Sequence, residues 1–306
     1  MLHLLLKLWC NISLHFYFRK WQFQFHSQLP NAPTIFLANH PNAFLDAILI
    51  ACSIKQKPWF LARGEVFKGR WSSWILTKLR LIPIFRFRDG HSSLRKNESV
   101  INRCAVLLAG GESIILFPEG ENSIDGILLP LQKGFIKIAD ASLNLKPSLN
   151  LQIVPIGIHY GLETKGFGGA ALVNFGEPID YAELSKDKSL DDILNSSWEK
   201  LNELVVVKQP DTIVQTSTTF VQQLNNFYFL VNNFILTLSI SFIASLVKEE
   251  RMRDSIRFAA GMFLTLPIYL AQSLIIWLLS NSWVISLAYF VSLLTSIQLR
   301  LSNAKS

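Results

Sequence analysis

Asn39, His40 and Asp46 fall within eight residues of one another in the stretch TIFLANHPNAFLDAILI, Thr34 to Ile50. A histidine beside a carboxylate can act as a general base. The carboxylate takes the Nδ1 proton, fixes the tautomer and leaves Nε2 free to accept a proton from a substrate. A plainer reading also fits: His40 as a loop residue and Asp46 as the complement of a helix dipole. A basic group, Ile84-Phe85-Arg86-Phe87-Arg88, and a turn carrying a carboxylate, Phe117-Pro118-Glu119-Gly120, follow farther along the chain.

These groups lie where apolar runs give way to turns. Thr34 to Ala38 reads as a strand, Asn39 to Asn42 as a turn, and Ala43 to Cys52 as an apolar helix with Asn42 as its N-cap. Ser113 to Phe117 is a short buried strand that runs into the Glu119 loop, and open α/β sheets bind ligands at the carboxyl ends of strands. Between these stretches, Trp59 to Arg63 and Leu81 to Phe87 read as strands, the second ending in a basic tip. Arg70 to Leu79 and Ser92 to Leu108 read as helices, the latter stopped by Gly110-Gly111.

Downstream, Lys133-Gly134 introduces a helix from Phe135 to Ala141. Gln152 to Ile158 is an apolar strand whose Pro155 predicts an edge position or a bulge. His159 after it reads as a satisfied core or edge residue. Val173 to Phe175 is the last expected strand, Asp180 to Val207 an exposed helical stretch, and 208–218 a polar linker. Alternating strands and helices predict an α/β fold with a mixed, largely parallel sheet flanked by helices.

Half of the 306 residues are hydrophobic and only 17 % are charged, which is low for a soluble domain and points to a membrane. Phe258 to Ser280 and Trp283 to Leu299 carry no charge and read as two spans joined by a tight turn. Phe234 to Val247 is shorter. If the preceding domain, the basic stretch Lys248 to Arg257 and the C-terminus are all cytoplasmic, this run is re-entrant or interfacial. The opening run, Leu2 to Phe18, reads as an amphipathic helix on the membrane surface, not a signal peptide. The expected organisation is a membrane-interface helical segment over 1–30, a soluble domain on the cytoplasmic face over 31–210, and a membrane region over 226–300.

A net charge of +7 suits an anionic surface. Lys and Arg recur from Lys55 to Arg88 among Trp59, Phe60, Phe67, Trp71 and Trp74, a mixture that fits either a membrane interface or single-stranded nucleic acid. The long apolar segments favour lipid over nucleic acid. The three cysteines, Cys10, Cys52 and Cys104, lie far apart in apolar runs and read as reduced core residues. No His/Cys run has zinc spacing, and no G-x-S-x-G elbow marks a serine hydrolase.

The ordered set Asn39-His40…Asp46, Phe85-Arg86-Phe87-Arg88, Phe117-Pro118-Glu119-Gly120 and Val154-Pro155-Ile156 resembles the four sequence blocks of the glycerophospholipid acyltransferases. That family includes the 1-acylglycerol-3-phosphate and glycerol-3-phosphate acyltransferases, and the resemblance covers roughly residues 30–180. It implies that His40 deprotonates an acceptor hydroxyl that attacks the thioester of acyl-CoA or acyl-carrier protein, with Asp46 orienting the ring. It also implies that Arg88, Glu119 and Gly120 bind the acceptor head group, helped by Asn39, Arg86 and Lys133. No metal or other cofactor is implied; the expected partners are the acyl donor and membrane lipids. For Glu119, anchoring loop amides fits as well as touching the acceptor.

The chain departs from the family pattern twice. Five residues separate His40 from Asp46, one more than usual, a spacing that resembles the fungal glycerol-3-phosphate acyltransferases. Where many members carry Thr-Arg-Ser after the FPEG block, this chain reads Glu121-Asn122-Ser123, which removes a cation and adds an anion. Lys133, Arg86 and Arg88 are left to compensate, or the acceptor is a lyso-aminolipid. A decayed, membrane-anchored homologue and a metal-dependent lipid hydrolase using His40, Asp46 and Glu119 are the readings from other classes.

Overall fold

In the computed structural model, which describes residues 2–85, 91–121, 127–161, 167–206 and 220–302, helix α1 (Leu2–Tyr17) leads into a strand, β1 (Lys20–Phe25). The sheet thus begins earlier than expected, in the stretch read as following the opening helix. The alternation then runs β2 (Thr34–Ala38), α2 (Ala43–Ser53), β3 (Trp59–Arg63), α3 (Arg70–Lys78), β4 (Leu81–Ile84), α4 (His91–Ala109), β5 (Ile114–Leu116). It continues with α5 (Gly134–Leu145), β6 (Gln152–Tyr160), β7 (Ala170–Phe175) and a short β8 (Ile179–Asp180). Arg86, Phe87, Arg88, Asn122, Ser123 and the linker at 208–218 lie outside the described residues.

After β8 the expected single exposed helix is two helices, α6 (Tyr181–Ser185) and α7 (Leu190–Val206). Asp180 caps α6 by accepting from the Ala182 and Glu183 amides. Tyr181, Ile193, Leu201 and Leu204 are buried, so this stretch covers the sheet.

The strand order is β1-β7-β6-β2-β5-β3-β4, with β8 pairing to β6 below β7. All pairs are parallel except those of β6 with β7 and with β8. Every residue of β2 is buried because both faces of the sheet are covered. Phe36 and Ala38 join one core with Leu45 and Leu49 of α2 and Leu14 of α1. Ile35 and Leu37 join the other with residues of α4, α5 and α7.

The connections explain where a site can form. From β2 the chain passes through α2 towards β3, on one side; from β5 it passes through α5 to β6, on the other. β2 and β5 are neighbours whose crossovers leave in opposite directions over opposite faces, which opens a crevice at their carboxyl ends. His40 follows β2 and Glu119 follows β5 at that point.

Pro155 does not mark an edge. It pairs with Leu37 inside the sheet, but β6 pairs with β8 through Gln152 and Ile153 and with β7 only from Ile156 onwards. The Pro155 carbonyl accepts from the Gly176 amide at 2.9 Å. Its nitrogen, on the same edge of the strand, therefore faces the turn between β7 and β8, where no ladder bond is lost.

The C-terminal part holds α8 (Phe220–Asn232), α9 (Phe234–Ser245), α10 (Arg253–Ser280) and α11 (Trp283–Ser302). Helices α10 and α11 are each long and apolar enough to cross a membrane. They join at Asn281, whose left-handed φ of 51° closes the turn. Helices α8 and α9 reach span length only together, and they are bent by 76° at their junction. Asn233 occupies the bend, donating to the Phe229 carbonyl and to Ser296 Oγ while Tyr269 donates to its Oδ1.

Candidate active site

The turn after β2 is held from several sides. Asn39 is buried, and its Nδ2 donates to the Ile158 carbonyl at 3.0 Å while its Oδ1 accepts from the Ile158 amide at 2.6 Å. Its side chain, 1 % exposed, thus clamps β2 to β6. One residue on, the His40 ring stacks on Phe117 at the end of β5, with centroids 3.9 Å apart and planes 13° from parallel. Glu119 Oε1 accepts from the His40 amide at 2.8 Å.

The imidazole is fixed by Asp46. Nδ1 lies 2.9 Å from Asp46 Oδ2, and the carboxylate, wholly buried, is the acceptor. The Asn42 amide donates to the same oxygen at 2.8 Å, and Tyr160 donates its hydroxyl to Oδ1 at 2.6 Å. Three donors on one buried carboxylate offset the cost of keeping the charge out of water. Burial and the Asp46 charge push the Tyr160 hydroxyl far above its usual range, so it remains a donor. With the proton on Nδ1, Nε2 carries the lone pair. Among the described residues nothing hydrogen-bonds Nε2, and the side chain is 18 % exposed.

The other residues expected at the head-group site are placed differently. Both Glu119 oxygens are used, the second by the Leu129 amide at 2.8 Å, which makes Glu119 an anchor between the two loops. The Gly120 amide donates to the Phe117 carbonyl at 3.2 Å in a turn with φ of 73°, so it is not a free anion donor. Lys133 pairs with Asp191 of α7 at 2.9 Å. Arg86 and Arg88 lie outside the described residues. His159 is a satisfied core residue: its Nε2 donates to the Leu204 carbonyl at 2.6 Å, and burial lowers its pKa. Among the described residues no three His, Cys, Asp or Glu side chains form a group that could hold a metal.

Residues 20–159, from the first residue of β1 almost to the end of β6, match the acyltransferase family model. The chain carries an acyltransferase domain. It is 28 % identical over 177 residues to the chloroplastic 1-acyl-sn-glycerol-3-phosphate acyltransferase of Brassica napus, covering 57 % of this chain and 47 % of that one. It is 37 % identical over 81 residues to glycerol-3-phosphate O-acyltransferase 1 of Saccharomyces cerevisiae, covering 26 % of this chain and 10 % of that one. The chain thus spans less than half the length of either relative. A Thermotoga maritima 1-acyl-sn-glycerophosphate acyltransferase structure aligns with a TM-score of 0.47 and 20 % identity over 67 % of this chain and 80 % of that one.

Two residues that hold the candidate site escape sequence reading. Tyr160 is signalled weakly, since it alternates in phase with Ile156 and Ile158 and so shares their face with α2. Ser255 has no local signal. Asn42 occupies the N-cap position of α2 but makes no side-chain capping bond; the Leu45 amide donates to the Asn42 carbonyl at 3.2 Å and to Ser255 Oγ, from α10, at 3.1 Å.

Glu119 gives a prediction. Burial pushes its pKa up against the opposing bonds from Leu129 and His40. A carboxyl with a raised folded pKa contributes stability below its unfolded pKa and loses it as pH rises through the folded value. Glu119→Gln removes that desolvation cost together with one acceptor, so stability changes by only about 1 kcal/mol. The His40 anchor loosens, and kcat falls about tenfold. Thermal melting beside kcat checks both parts.

Proposed function

We propose that this chain is a membrane-bound O-acyltransferase of phospholipid biosynthesis. It moves a fatty acyl group from acyl-CoA or acyl-carrier protein to the hydroxyl of glycerol-3-phosphate or lysophosphatidic acid. The observation that carries the reading is the fixed His40 ring: Nδ1 on a buried carboxylate, Nε2 open, at the switch point of an acyltransferase domain. Nε2 takes the acceptor's hydroxyl proton as its oxygen attacks the thioester carbonyl. The C–S bond then breaks, and the proton on His40 goes to the leaving thiolate, so the base is restored.

The acceptor class is supported by the names of the relatives. Arg86 and Arg88, which follow β4 in sequence, are the cations proposed for its phosphate. With Lys133 turned to Asp191 and the Gly120 amide engaged, the described residues offer little else for an anion. That observation keeps a lyso-aminolipid as the second reading. In the proposed topology α10 and α11 cross the bilayer, the bent α8–α9 pair enters and leaves on one side, and the acyltransferase domain lies on the cytoplasmic face.

The test is acyl transfer by the purified protein in detergent. Labelled palmitoyl-CoA and palmitoyl-acyl-carrier protein are each offered with glycerol-3-phosphate, lysophosphatidic acid or a lyso-aminolipid. Label is expected in a phosphate-bearing acceptor. Transfer to the aminolipid alone overturns the acceptor, and transfer to none overturns the activity in favour of a decayed site.

A further inference from the structure

The turn between His40 and Asp46 contains a residue in an unfavourable backbone state. Ala43 has φ of 44°, in the left-handed region that a Cβ disfavours. It is the first residue of α2, directly after Asn42, whose amide and carbonyl flank the catalytic pair. A non-glycine residue keeps such a conformation only when its surroundings hold it there. The extra residue between His40 and Asp46 has to be absorbed in this turn, and Ala43 is where the backbone departs from the ordinary regions.

Part of what holds it is local, the Leu45 amide donating to the Asn42 carbonyl at 3.2 Å, and the rest comes from another part of the chain. Ser255, in the first turn of α10 and fully buried, donates to the Asn42 carbonyl at 2.6 Å and accepts from the Leu45 amide at 3.1 Å. One hydroxyl thus ties together the backbone on both sides of Ala43. The foot of α10 is docked independently: Tyr17 donates to the Asp254 carbonyl at 3.2 Å, and Phe258 and Met262 are buried in the core shared by α1 and α2. Arg63 also reaches Glu249, just ahead of α10, at 3.2 Å. Removing the Ser255 hydroxyl would leave those contacts in place.

We infer that Ser255 is a positioning residue for the His40–Asp46 pair, capping α2 from the foot of the membrane hairpin and holding Ala43 left-handed. The inference rests on the acyl-transfer reading for its effect on rate, though not for its effect on the turn. Without the hydroxyl, Ala43 relaxes towards the right-handed region. The Asn42 amide then turns away from Asp46 Oδ2, and the imidazole loses its fixed partner. A glycine at position 43 adopts positive φ without strain, so it keeps the turn in shape without Ser255. The acyltransferase domain is then catalytically set only when the foot of the hairpin is seated on it.

The experiment uses the full chain in detergent or lipid nanodiscs and compares wild type, Ser255→Ala, Ala43→Gly and the double variant. Two readouts are taken: kcat and KM for acyl transfer, and amide hydrogen exchange of the peptide spanning 40–49. Ser255→Ala is expected to lower kcat about tenfold with KM nearly unchanged and to speed exchange in that peptide. Adding Ala43→Gly is expected to bring kcat back to within about threefold of the Ala43→Gly single variant. Unchanged exchange in Ser255→Ala overturns the inference. So does a fall in kcat that Ala43→Gly fails to rescue, which would assign the loss to poor docking of α10. If wild type transfers no acyl group, the acyl-transfer reading fails, and exchange alone decides whether Ser255 holds the turn.

Discussion

His40→Ala lowers acyl transfer by about 10²–10⁴-fold while the protein stays folded. The loss is large because an alcohol is too weak an acid to attack a thioester without a base. The fold survives because the turn does not depend on the ring. Glu119 holds the His40 backbone amide, which alanine keeps, and Asn39 clamps the strand through its own side chain. Asp46 still has the Asn42 amide and the Tyr160 hydroxyl. Acyl transfer and thermal melting of the same preparation separate the two effects.

Asp46→Asn removes about as much activity by a different route, and it also costs stability. Asp46 accepts from three donors, and an asparagine offers one carbonyl oxygen and an NH₂ that must face one of them. The Tyr160 hydroxyl is the partner that can adapt, because the Asn42 amide, which can only donate, shares Oδ2 with His40 Nδ1 and keeps the carbonyl oxygen there. With the NH₂ turned to Tyr160, the carbonyl oxygen still accepts from His40 Nδ1, but the negative charge that stabilises the imidazolium formed on proton transfer is gone. Losing that charge from a partly buried base is expected to lower acyl transfer by about 10²–10⁴-fold. Replacing a charged acceptor of three hydrogen bonds by a neutral one at a fully buried site lowers stability by roughly 1–3 kcal/mol. The expected outcome is loss of activity with a lower melting temperature, in contrast to His40→Ala.

Much of the site is legible because local sequence fixes it. The strand Thr34–Ala38, the turn with His40 and the helix with Asp46 follow from an apolar run broken by Asn, Pro and Asn, and both ends of the pair sit on that one unit. The strand before Glu119 is equally local. What the sequence hides is tertiary. Tyr160 reaches Asp46 across 114 positions and Ser255 reaches Asn42 across 213, so no spacing rule links them. Asn39, Glu119, Gly120 and Lys133 are the right residue types for binding a head group, but the fold spends their polar atoms on backbone and on Asp191. Pro155 misleads for a related reason: its missing donor falls where the neighbouring ladder is interrupted, and that depends on β7 and β8 alone.

The most direct test of the account is kcat for wild type, His40→Ala, Asp46→Asn and the double variant, measured side by side with one donor and one acceptor. If Asp46 works only by orienting the His40 ring, the double variant is no slower than His40→Ala, to within about twofold, because the second change removes nothing the first has left. Losses that multiply in the double variant, or substantial transfer by His40→Ala, would contradict it.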